Sequence, residues 1–220
     1  MDRTAWIQQT VAHVRAATLE EGSGHDWWHI YRVWQTARQI GAAEGADLIV
    51  VELAALLHDI ADWKFHGGDE TVGPRVAGEW LRGLGVDAAT IAHVQAIIAG
   101  VSFKGEAEAP SDLTLEGRCV QDADRLDAIG AVGVARVFAY CGFKGLPIHD
   151  PEHPPRRGMT AAQYKQNNGS GINHFYEKLL LLKDRMHTPT ARRMAEERHA
   201  FLEAYLAQFY REWPDAAPPA

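Results

Sequence analysis

The chain is poor in cysteine: Cys119 and Cys141 are the only two in 220 residues, too few for a disulfide scaffold. Both fall in a stretch that reads as one helix from 115 to 141. At about 1.5 Å of rise per residue they then stand roughly 33 Å apart, out of reach of each other within one subunit. Long hydrophobic runs are also lacking. The longest, LIVVELAALL at 48–57, is interrupted by Glu52 and is too short to span a bilayer. The opening MDRTAWIQQTVAHVRAA has no apolar core of the signal-peptide kind, so no membrane partner and a cytoplasmic location are expected. Positive charge is scarce, with 22 Lys and Arg against 29 Asp and Glu, a net −7. That balance speaks against a nucleic-acid partner, which needs a basic face. Strand-like alternation, internal repeats and low-complexity segments are absent as well. A 46% apolar and 23% charged composition excludes disordered and collagen-like chains.

What is present is helical periodicity almost throughout. The pattern predicts helices over about 4–20, 26–43 with Asp26 as N-cap, 47–60, a fourth ending near 84, 87–101, 115–141, 173–186 and 189–213. The last has Thr188 as cap and Pro189 at its first position. A short turn of helix is predicted around 161–166. The third helix is apolar on nearly every side, which places it at the centre of a core, and it ends in His58 and Asp59. Ala128, Gly130, Ala131, Gly133 and Ala135 leave little bulk, so a neighbouring helix can come close there. The expectation is one all-α domain, a compact helical bundle over 1–213, with a frayed tail over 214–220.

Eleven histidines are the compositional excess. Metal-capable side chains concentrate in three places: HDWWH at 25–29, HD at 58–59 and DADRLD at 122–127. Each lies on or beside a predicted helix with a buried face, so the three can converge. Imidazole nitrogens with carboxylate oxygens make a borderline-hard site that suits Mn²⁺, Mg²⁺, Fe²⁺, Co²⁺, Ni²⁺ or Zn²⁺. A site with four protein donors and open positions has catalytic character.

His29, His58–Asp59 and Asp124 match in order and spacing the H…HD…D signature of the HD-domain metal-dependent phosphohydrolases. The flanks HIYRVWQTA, ELAALLHDIAD and QDADRLDAIGA match too. KFHGGDE, IIAGVSFKG and INHFYEKLLLLKDRM resemble a compact bacterial branch that looks like nucleoside triphosphate pyrophosphohydrolases. The resemblance covers nearly the whole chain. It implies an all-helical HD fold with one divalent metal per chain, Mn²⁺ or Mg²⁺ favoured, held by His29, His58, Asp59 and Asp124. It further implies hydrolysis of a nucleotide to a monophosphate and pyrophosphate by metal-activated water. Alternatives within the same pattern are a phosphomonoesterase or phosphodiesterase on another metabolite, a nucleotide-binding sensor without catalysis, and a two-iron oxygenase.

A small nucleotide partner needs local positive charge in an acidic protein. Lys64 is the first choice, five residues past Asp59, followed by Arg32, Lys104, Arg125 and Lys178. His66 is a candidate general acid, and Asp127, one turn after Asp124, is placed to orient a ligand, water or sugar hydroxyl. His93 reads as a satisfied histidine within the fold. Arg192, Arg193 and Arg198 read as a solvated face with Glu196 and Glu197. Trp27, Trp28 and Trp63 flank the proposed site; core packing is the preferred reading of each, and stacking of one of them on a base is the alternative. The segment 150–158 reads as a lid or a surface loop, and a homodimer is a compatible assembly.

Overall fold

The computed structural model describes residues 2–18, 26–61, 69, 71–101, 112–159 and 169–214. Among these residues every regular element is helical, as the periodicity predicts. No single helix among them is long and apolar enough to cross a membrane. The chain divides into two compact units: the first holds the described residues up to Val101 together with Asp112–Asp124, and the second runs from Arg125 onward.

The first unit contains α1 (Arg3–Thr18), α2 (Trp27–Glu44), α3 (Leu48–Leu57), α4 (Val72–Gly83), α5 (Ala88–Val101) and most of α6 (Leu115–Asp127). Helix α3 packs against α1, α2 and α5, and Val50, Val51 and the whole run Leu53–Leu57 are buried. A helix apolar all round has no face to give to water, so it occupies the core. The Asp26 side chain caps α2 by accepting from the His29 N–H, and Asp47 caps α3 by accepting from the Ile49 N–H. Helix α3 stops at Leu57, earlier than the predicted 60, with His58 as its C-cap and Asp59 in the turn that follows. Trp34 on α2 is half-buried, and its indole N–H donates to Glu52 Oε2 at 2.8 Å.

The second unit contains the end of α6, α7 (Gly130–Lys144), α8 (Gly171–Glu177), two 3₁₀ turns (Leu179–Leu181 and Lys183–Arg185) and α9 (Pro189–Glu212). The predicted single helix 115–141 is therefore two, broken between Asp127 and Gly130. Gly130 adopts φ +77°, a left-handed conformation that glycine takes without steric cost. A Cβ on Gly133 would lie 2.3 Å from the carbonyl oxygen of Ala128, so only glycine lets α7 start that close to the chain before it. A Cβ on Gly130 would sit 3.1 Å from Arg198 Cγ, which marks the close approach of α9. Ala131 and Ala135 are exposed, and the expected approach of a neighbouring helix is made at Gly130. The break also removes the straight helix on which the separation of Cys119 and Cys141 was reckoned. Both thiols are free and buried, and burial pushes Cys119 up to about 12.

The predicted helix 173–186 is also interrupted. Lys178 leaves helical geometry at φ −142°, ψ −57°, and the chain tightens into 3₁₀ turns. In that geometry residues three apart share a face, which buries Leu179 and Leu182 together. The face of Arg192, Arg193, Glu196 and Glu197 is exposed as expected, with Arg192 Nε also donating to Met186 O at 3.0 Å, whereas Arg198 departs from it: half-buried, its Nη1 donates to Leu126 O at 2.5 Å. The N-cap of α9 is as predicted, with Thr188 accepting from the Ala191 N–H and Pro189 in the first turn. Residues 161–166 and 215–220 lie outside the described residues.

Two consequences are measurable. Gly133→Ala should lower the melting temperature by several degrees, because the methyl group meets backbone rather than a movable side chain; calorimetry checks this. His174 is held neutral, its pKa pushed down to about 3 by burial and then by the Lys178 charge. An unfolded chain takes up that proton near its ordinary value of about 6.5. The stabilising contribution is therefore complete above about pH 6.5 and is lost as pH falls towards 3. His174→Phe should flatten the fall in melting temperature between pH 7 and 5.

Candidate metal centre

Three helices of the first unit build the centre. Helix α2 buries Ile30, Val33, Ala37 and Ile40 and carries fully buried His29 on its inner side. Helix α3 delivers His58 and Asp59 at its C-terminal end, where unpaired carbonyls and the helix dipole favour a cation. Helix α6 supplies Asp124. Near its start, Glu116 Oε1 accepts from the Asp47 N–H at 3.1 Å, setting the beginnings of α3 and α6 side by side. Gln121 Nε2 adds a second tie, donating to Val101 O at 3.1 Å at the end of α5. Burial pulls the Glu116 pKa up, but the Asp47 N–H, its own backbone N–H, the His93 charge and Thr114 bring it below the usual carboxylate range.

The donor atoms meet closely. Asp59 Oδ2 stands 3.4 Å from His29 Nε2 and 3.4 Å from His58 Nε2. Asp124 Oδ1 stands 3.6 Å from His29 Nε2 and 4.0 Å from His58 Nε2. The two imidazoles lie edge to face with centroids 5.4 Å apart. Nδ1 of His58 is 2.8 Å from Ala55 O. A carbonyl only accepts, so Nδ1 carries the hydrogen and Nε2 presents its lone pair to the cluster. That Nε2 is buried without a hydrogen-bond partner, facing a carboxylate oxygen. Lone pairs from imidazole and carboxylate converging in this way fit a divalent cation, and the carbonyl behind His58 is the outer support such a ligand takes. His29, His58 and Asp59 form a group able to hold an ion, with all their donor atoms within 4.8 Å of one another.

A family model described as the HD domain matches residues 27–129, which contain all four of these side chains. YpgQ of Bacillus subtilis is 40% identical over 210 residues, covering 94% of this chain and 93% of its own. The chain belongs to the HD superfamily. A crystal structure from Lactobacillus plantarum is similar with a TM-score of 0.86 at 38% identity, over 98% of this chain and all of that one. An HD-superfamily hydrolase of Bacillus thuringiensis is similar with a TM-score of 0.75 at 40% identity, over 98% of this chain and all of that one. The structure of YpgQ in complex with ADP is similar with a TM-score of 0.78 at 36% identity, over 98% of both chains. The HD-superfamily assignment makes this chain a hydrolase by class, and HD domains bind divalent metals.

Around the HD motif, the other residues singled out by sequence fall in different places. Arg32 is half-buried on α2, one turn beyond His29. Lys64, His66 and Lys104, with Trp63 and His25, lie outside the described residues. Asp127, in the second unit, is buried and accepts from Arg136 Nη1 at 2.8 Å. Arg125 in the same unit donates to Arg185 O and meets His187 Nε2 at 3.2 Å. Lys178 is the C-cap of α8. His93 Nε2 is 2.8 Å from Thr114 Oγ1 and 3.6 Å from Glu116 Oε2, a satisfied group at the edge of the core. The segment 150–158 is tied to α8: Asn173 Nδ2 donates to His153 O at 2.7 Å and the Arg156 N–H to the buried Glu177 at 2.9 Å. Within DADRLD the sequence assigned roles to Asp124 and Asp127 and none to Asp122. Asp122 is fully buried while Asp124 turns towards the histidines, the two lying about 200° apart around the helix axis.

Asp59→Ala, which removes the oxygen nearest both imidazoles, should weaken Mn²⁺ binding by at least about 100-fold while the helical circular dichroism is retained. Equilibrium dialysis of the metal-free protein reads the outcome.

Proposed function

We propose that this protein is a metal-dependent phosphohydrolase that cleaves nucleoside triphosphates to a monophosphate and pyrophosphate, acting as a single HD domain over 1–213. The observation that carries the reading is the convergence of two imidazole nitrogens and two carboxylates at 3.4–4.0 Å on the first unit. His29, His58, Asp59 and Asp124 hold one divalent ion, Mn²⁺ or Mg²⁺. When bound, such an ion supplies Lewis-acid polarisation of a phosphoryl oxygen and an activated water. ADP in the YpgQ structure supports a nucleotide as the ligand, and the similarity of the two chains over nearly their full length extends that support here.

The protein's own groups have definite tasks in this reaction. Ala55 O fixes the His58 tautomer and keeps Nε2 available as a donor. Asp59 Oδ2, equidistant from the two rings, binds the centre together. Arg32, Lys64 and Lys104 neutralise phosphate charge, which the net −7 of the chain would otherwise repel. His66 donates a proton to the leaving group.

Metal-free protein supplied with Mn²⁺ and a panel of nucleoside triphosphates should release pyrophosphate and the monophosphate, identified by chromatography. Asp59→Ala should abolish the release. Orthophosphate or a linear nucleotide from another phosphorylated compound would assign the monoesterase or diesterase activity instead. No turnover of any phosphate compound with any divalent ion would overturn the hydrolase reading.

A further inference from the structure

The tryptophan pair at the start of α2 is divided by the fold. Trp27 is 4% exposed, whereas Trp28, next to His29, leaves 54% of its surface in water. Tyr31, 39% exposed, packs edge-on against Trp28 with centroids 6.0 Å apart and planes at 79°. Tyr31 in turn meets Trp34 at 6.0 Å and 76°, and the Trp34 indole N–H is anchored on Glu52. An exposed indole therefore stands at the end of a braced chain of rings whose far end is anchored by a hydrogen bond to α3. A single exposed aromatic needs no explanation; one held in a fixed orientation beside a metal centre is a preformed surface.

Its position around α2 is informative. With 3.6 residues per turn, Arg32 lies about 60° and Trp28 about 100° from His29, both in the same sense. Side chains on a helix lean towards its N-terminus, so Arg32 leans back into the interval between His29 and Trp28. Along one side of a single helix, a metal ligand, a guanidinium and a flat aromatic surface follow one another. That is the order of a phosphate chain, its negative charge and a nucleobase in an extended nucleotide.

We infer that the exposed indole of Trp28, braced by Tyr31, is the platform on which the base of the nucleotide stacks. This rests on the nucleotide reading of the same centre. Stacking on a π-face tolerates every base, so the contact selects nucleotides over base-free polyphosphates without choosing among purines and pyrimidines.

The test uses the Mn²⁺-loaded full chain with Trp28→Ala and Trp28→Phe. Trp28→Ala should raise KM for the nucleoside triphosphate and Kd for ADP about 10-fold. It should leave kcat within about two-fold, because the contact is the same in ground and transition states. Inhibition by inorganic tripolyphosphate, which has no base, should be unchanged, and Trp28→Phe should restore most of the affinity. Unchanged ADP affinity in Trp28→Ala would overturn the inference, as would equal weakening of ADP and tripolyphosphate. So would a change of sedimentation behaviour with ADP affinity intact, which would give the surface to a second copy of the chain. A wild-type protein that binds ADP through Trp28 but turns over no nucleotide would refute the hydrolase reading and leave the platform standing. Failure of the wild type to bind ADP would remove the platform.

Discussion

The metal centre depends on where one buried helix stops. Helix α3 is apolar on nearly every side and cannot be moved towards water without losing the burial of Val50, Val51 and Leu53–Leu57. Its end is therefore fixed in space, and the two residues that follow are His58 and Asp59. The carbonyl of Ala55, one turn back, takes the His58 Nδ1 hydrogen and leaves Nε2 as a lone-pair donor inside the cluster. The same helix that excludes water thus sets both the position and the tautomer of a ligand. The other donors are brought to this point. His29 arrives on the buried stripe of α2, and Asp124 on α6, whose start is tied to the start of α3 through Glu116 and the Asp47 N–H.

The second unit is held by a different device. Arg125, Arg192 and Arg198 donate to the carbonyls of Arg185, Met186 and Leu126, groups left over where helices end or tighten. Asp127 and Arg136 pair across the α6–α7 break. Such carbonyls lack intrahelical donors, and long guanidinium side chains reach them while keeping contact with water. In an acidic chain with few cations, several are committed to the backbone of this unit.

Much of the first unit was legible because its signals are local. The cap Asp26 and the periodicity of α1 to α5 each rest on residues within a few turns of one another, and each member of the quartet is marked by its own flanking block. The two failures in the second unit share a cause. The run 115–144 has no proline, and its apolar pattern continues through the break, which is carried by the conformation of Gly130 and by the contact between Gly133 and the Ala128 carbonyl. The run LLLL at 179–182 satisfies either helical geometry by composition. Burial of Leu179 with Leu182, three residues apart, selects the tighter one.

The sequence by itself determined the helical class, the membership of the HD superfamily and the identity of the four converging residues, because motif order and periodicity survive without coordinates. Only the tertiary structure decided which nitrogen of His58 presents its lone pair, which of two adjacent tryptophans is exposed, and where the runs 115–141 and 173–186 break. Each of these turns on a rotation of about 100° around a helix axis or on a hydrogen bond or close contact of the folded backbone. Neither is written in the order of residues until the core has fixed how each helix is turned.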